Sequence, residues 1–106
     1  MKLTIKQGDT RHAIRATLKT VNGAIIDLST ASVRFVMVSQ RNGILIDHDA
    51  IIESDGRVAY AFEEGETDYI GDYAIEFLVT YDDGREETFP HKGFIKLTIE
   101  QRNGGI

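Results

Sequence analysis

The sequence predicts an all-β fold, an immunoglobulin-like antiparallel β-sandwich of about seven to nine strands. Three observations predict it. Apolar side chains recur on every second residue in short runs, which places them on one face of a strand. Gly, Asn and Asp turn signals separate those runs at regular spacing. No segment keeps helical periodicity over the roughly ten residues that a helix needs.

Each element follows in order. Leu3 and Ile5 begin the alternation and Gln7-Gly8-Asp9 turns the chain. Ile14, Ala16 and Leu18 form the next run, closed by Val21-Asn22-Gly23. Val33, Phe35 and Met37 follow, then Arg41-Asn42-Gly43. Asn-Gly is a strong hairpin signal because both residues tolerate positive φ. Asp55-Gly56 precedes Val58, Tyr60 and Phe62. The stretch from Glu64 to Ile70 has room for one helical turn between strands, its start favoured by Glu64 and Glu66 through the helix dipole.

The segment from Gly71 to Glu100 is the densest part of the pattern. Apolar side chains fall on every second residue from Tyr73 to Tyr81, and Tyr73, Ile75, Phe77 and Val79, alternating with Asp72, Ala74, Glu76 and Leu78, are expected to be buried. Asp82-Asp83-Gly84 is a tight turn in which Gly84 supplies positive φ. Arg85 to Phe89 runs back, Pro90-His91-Lys92-Gly93 breaks the strand, and Ile95, Leu97 and Ile99 resume it. Asp68 to Ile75 resembles the tyrosine corner of immunoglobulin-like sandwiches, with Tyr73 opening a strand and Ile75 facing the core.

The Gly-x-Tyr strand opening, the aspartate–glycine hairpin, Thr88-Phe89-Pro90 and Gly93-Phe94-Ile95 together resemble the N-terminal domain of phage baseplate upper proteins. Ile25 to Met37 is similar to that family's hydrophobic-Asp-Leu-Thr-Gly-Ala-x-Val-x-Phe-x-Met stretch, with Thr30 standing where the family has glycine. Ser54 to Tyr60 resembles its Gly-x-Val-x-Tyr strand. The resemblance implies a non-enzymatic structural protein of a phage or prophage tail tip, which docks or scaffolds receptor-binding components. It also implies other tail or baseplate proteins as partners, a place in the virion, and assembly in a bacterial cytoplasm.

Length and composition set bounds on these readings. The 106 residues make one domain, spanning 1–106, with a single core. No run of about eighteen apolar residues occurs, so no membrane span is expected. The N-terminal MKLTIKQGDTRH has no apolar region of the kind a signal peptide needs. The absence of cysteine excludes disulfides, thiol catalysis and Cys-ligated zinc. A net charge of −5 with scattered Lys and Arg argues against nucleic acid as a partner.

Chemistry-bearing residues are few. His12, His48 and His91 are the candidates for a general base or a metal ligand. In Asp47-His48-Asp49, neighbouring strand residues point to opposite faces, so the two aspartates converge and His48 points away. Glu63 to Asp68 concentrates four acids, without the alternating order of a known calcium loop. No serine lies in a nucleophile elbow, and no glycine-rich phosphate loop precedes a helix. No catalytic residue, metal or cofactor is expected.

Surface is what remains. Val36 and Val38 lie opposite Phe35 and Met37, which makes that strand apolar on both faces, and Ile44, Leu45 and Ile46 extend the hydrophobic stretch. The pair Ile51 and Ile52 flanks it. Such a face is covered by the protein's own loops or by another subunit. Val36, Val38, Ile44, Leu45 and Ile46 form the candidate interaction surface, with self-association expected. The alternative is a carbohydrate-binding or host-adhesion module using Tyr69 and Phe94, in a chain without Trp. A third class, an acidic mimic of nucleic acid, has only the Glu63–Asp68 loop to recommend it.

Overall fold

Nine strands form among the described residues of the computed structural model, which are 2–39 and 43–104, with Ile44 described in its backbone only. They are β1 (Lys2–Lys6), β2 (Ala13–Thr17), β3 (Ser32–Ser39), β4 (Gly43–Asp49) and β5 (Ile51–Ser54). β6 (Arg57–Ala61), β7 (Gly71–Thr80), β8 (Glu86–Phe89) and β9 (Ile95–Glu100) complete them. The larger sheet has the order β1-β9-β7-β3-β4, with β8 beside the second half of β7. The smaller has the order β2-β6-β5. All pairings between these strands are antiparallel except that of β1 with β9.

The alternation read from the sequence sets which faces meet. Phe35, Met37, Ile75, Phe77, Val79 and Leu97 point inward from the larger sheet and are fully buried. Ile14, Val58 and Tyr60 meet them from the smaller sheet. Phe35 stacks flat on Tyr60 with ring centroids 4.1 Å apart, and it meets Phe62 and Phe77 edge-on at 6.0 and 5.5 Å. Offset-stacked and edge-to-face contacts of this kind add to simple area burial. This cluster ties β3 to β6 across the layers.

The chain changes sheet at Ala50, whose N–H donates to the Val33 carbonyl at 2.8 Å between β4 and β5. β4 and β5 are therefore edge strands of the two sheets on the same side of the sandwich. The tyrosine corner is present: Tyr73 Oη donates to the Tyr69 carbonyl at 2.5 Å, and Ile75 is buried behind it. Two sheets with this corner make an immunoglobulin-like sandwich.

The stretch from Glu64 to Ile70 differs from expectation. It forms consecutive turns without helix. Glu66 N–H reaches the Glu63 carbonyl at 3.1 Å, and Asp68 N–H reaches that of Gly65 at 3.4 Å. Thr67 explains the departure, because it is fully buried and its hydroxyl donates to the Asp9 carbonyl at 2.9 Å. Gly8 N–H donates back to the Thr67 carbonyl at 3.0 Å. Pinning to the end of β1 leaves this loop no room to wind.

Candidate functional site

The β4 alternation decides the geometry around Asp47-His48-Asp49. Asp47 and Asp49 face outward, where Arg34 of β3 holds them at 2.7 and 3.6 Å. His48 faces the other way, as expected, and its Nδ1 lies 3.0 Å from Tyr60 Oη. Tyr60 Oη donates to the Glu66 carboxylate, 2.9 and 3.0 Å from its two oxygens. With the phenolic proton committed to Glu66, His48 supplies its own proton from Nδ1. Glu66 also accepts from the Glu63 N–H at 2.8 Å, so its carboxylate binds the loop to β6.

Burial pushes the Tyr60 phenol well above its ordinary range, and the hydrogen bond and charge of Glu66 push it further. A phenol held neutral in this way donates a hydrogen bond and is no base or nucleophile at neutral pH. Arg34, Asp47, Asp49, Tyr60 and Glu63 line an open polar recess of about 690 Å³ beside it. Among the described residues no group of three or more His, Cys, Asp or Glu could hold a metal ion. The arrangement ties down a loop.

A similar lock closes the other end of the molecule. Glu87 accepts from Tyr81 Oη at 2.7 Å and lies 2.6 Å from His91 Nε2. Burial, then the Glu87 contact, pushes the Tyr81 phenol up to about 12. His12 is exposed ahead of β2, away from this network.

The expected interaction surface is only partly assembled. Val36 and Val38 are half-buried on the outer face of β3. Val36 stands between Asp47 and Glu76, so charge interrupts the apolar run. Ile46 does not belong to the surface: it is 2% exposed and pairs with Met37 in the core. Plain alternation accounts for this: Ile46 lies two residues from inward-facing His48 and opposite inward-facing Met37, and the register shift comes beyond it, between Met37 and Val38. Leu45 is 42% exposed, and the Ile44 side chain lies outside the described residues. Ile51 and Ile52 are exposed on the edge strand β5. Their unpatterned hydrophobicity was visible in the sequence, but their place at an edge was not.

Tyr69 and Phe94 are both exposed, yet they form no joint platform. Tyr69 precedes the Gly71–Ile99 pairing and Phe94 precedes the Ile75–Ile95 pairing. Four ladder positions separate these ends, roughly 13 Å of strand.

No family model matches the chain, and no curated protein matches it. Among solved structures it is similar to CopC from Methylosinus trichosporium OB3b. The TM-score is 0.58 at 13% identity, covering 95% of this chain and 85% of that one. At that identity the likeness shows the fold: a β-sandwich of immunoglobulin-like class. The likeness is to CopC and not to a phage tail protein, so it stands against the phage tail-tip role implied by the sequence resemblance. That expected role is corrected accordingly.

Proposed function

We propose that this chain is a non-enzymatic binding domain that associates with a second copy of itself along the side formed by β4 and β5. The observation that carries the reading is where the unsatisfied surface lies. The phenols of Tyr60, Tyr73 and Tyr81 and the Glu66 carboxylate are committed to bonds within the chain, and beside the polar recess Arg34 holds Asp47 and Asp49. Leu45, Ile51 and Ile52 instead expose apolar side chains on two consecutive edge strands. A twofold pairing places such a patch against itself, the commonest arrangement of soluble oligomers.

β5 is only four residues long and carries a register shift between Ile52 and Ser54. Short, irregular edges resist extension of the hydrogen-bonded ladder. Apolar packing of Leu45, Ile51 and Ile52 is therefore the contact. Light scattering at rising concentration tests it. A dimer is expected, and Ile51→Glu, with circular dichroism unchanged, is expected to dissociate it by burying an unpaired charge. A monomer at about 1 mM, where even a millimolar affinity is measurable, overturns the reading.

A further inference from the structure

The smaller sheet has three strands and the larger six, so the layers do not cover each other completely. Where the smaller sheet ends at β2, a crevice of about 310 Å³ opens between the layers. Phe77, Phe89, Pro90 and Ile95 line it from the larger sheet, and Ala16 and Leu18 line it from the β2 side. Exposed Lys19 and His91 belong to its lining as well. Its size and apolar walls suit one large aliphatic or aromatic side chain.

The rim of this crevice is an open strand edge. Among the described residues β2 pairs with β6 alone. Leu18 N–H donates to the Gly56 carbonyl at 2.6 Å, on the β6 side. By strand alternation Ile14 and Ala16 also direct their backbone groups to β6. Ala13, Arg15 and Thr17 therefore direct theirs outward, along the free edge.

Charge singles out this edge further. Residues 11–19, RHAIRATLK, carry Arg11, Arg15 and Lys19 and no carboxylate, in a chain of net charge −5. Arg15 is paired with Glu53 at 3.4 Å. Arg11 and Lys19, two residues beyond either end of β2, are exposed and have no ion-pair partner among the described residues.

We propose that the free edge of β2 and the adjoining crevice bind an extended acidic segment of a partner protein. Its main chain adds to β2 as a further strand of the smaller sheet. One apolar side chain enters the crevice, and acidic residues on either side of it meet Arg11 and Lys19. Main-chain hydrogen bonds supply affinity in this mode of recognition, while the side-chain pocket and the charges supply specificity. The site lies across β6 from β5, so it is independent of the self-association proposed above.

The test uses a short fluorescent peptide with one central leucine, threonines on either side and acidic ends, followed by anisotropy on the whole chain. Saturable binding that weakens with added salt is expected. Arg11→Glu combined with Lys19→Glu, with circular dichroism unchanged, is expected to weaken it at least about tenfold. N-methylation of alternate peptide amides is expected to abolish it, because it blocks strand addition without touching the protein. Ile51→Glu is expected to leave it unchanged, which separates failure here from failure of self-association. Absence of binding at about 1 mM peptide overturns the proposal. So does binding that tolerates both N-methylation and charge reversal. Self-association lost on changing Arg11 and Lys19 also overturns it, because the occupant is then a second copy.

Discussion

Gly56 sits in the turn between β5 and β6 with φ of +71°, a region that L side chains rarely adopt. A Cβ built there meets Ile25 Cγ2 at 2.6 Å and the Leu18 carbonyl oxygen at 3.0 Å. Ile25 is half exposed and can swing aside, but the carbonyl belongs to the backbone, which also accepts from Ile26 N–H at 3.2 Å. Gly56→Ala is therefore expected to destabilise by about 1–3 kcal/mol, measured by urea unfolding. An unchanged midpoint would show that the turn relaxes freely. At Tyr60 the hydroxyl is the common partner of His48 and Glu66. Tyr60→Phe removes it from both and leaves Glu66 less completely satisfied, with an expected cost of about 1–3 kcal/mol. Combining it with Glu66→Gln should cost less than the sum of the two single changes, as a double-mutant cycle would reveal.

At the scale of elements, β7 is the organising strand: it pairs with β3 on one side and with β9 and then β8 on the other. Phe77 faces Phe35 across the ladder and is fully buried, whereas Glu76 is half-buried on the outer face beside Val36. Phe77→Ala is expected to cost about 3–5 kcal/mol, and Glu76→Ala to stay within about 0.5 kcal/mol, by denaturant unfolding. Equal costs would mean that the faces are exchanged. This register was legible in the sequence because period-two alternation over Tyr73 to Val79 admits one inward set. Tyr73 was legible as a corner for the same reason, since its place at the strand opening limits where the hydroxyl can go. Ile46 was legible by alternation from His48, but the continuous apolar run Ile44-Leu45-Ile46 masked the period. The register shift between Met37 and Val38 was not legible, because it arises from how two strands pair. Glu66 was missed for another reason: an acid within an acidic loop reads as solvated until a buried tyrosine from a different strand is brought to it.

At the scale of the whole molecule, the buried Tyr60 and Tyr73 and the half-buried Tyr81 tie loops and strand ends together, and this gives stability a defined dependence on pH. Tyr60, Tyr73 and Tyr81 all have phenols pushed above the ordinary value of 10.0, chiefly by burial. Glu66 adds to the shift at Tyr60 and Glu87 to that at Tyr81, by hydrogen bonding and charge. In the unfolded chain these phenols lose their protons near 10, while in the folded protein Tyr81 keeps its proton up to about 12. Between those limits the folded state binds more protons than the unfolded one, so stability falls as pH rises. Their contribution is complete below about pH 9 and is lost progressively above about pH 10. Thermal melts at about pH 8 and about pH 11 should show a marked fall in the midpoint at the higher pH. Tyr81→Phe should lower stability near neutrality, because the Glu87 contact is gone, yet reduce the further loss at high pH, because one shifted proton has been removed. The two effects have opposite signs, which distinguishes this account from alkaline unfolding driven by net charge alone. If Tyr81→Phe left the alkaline loss as steep as before, the Tyr81–Glu87 contact would not be its source.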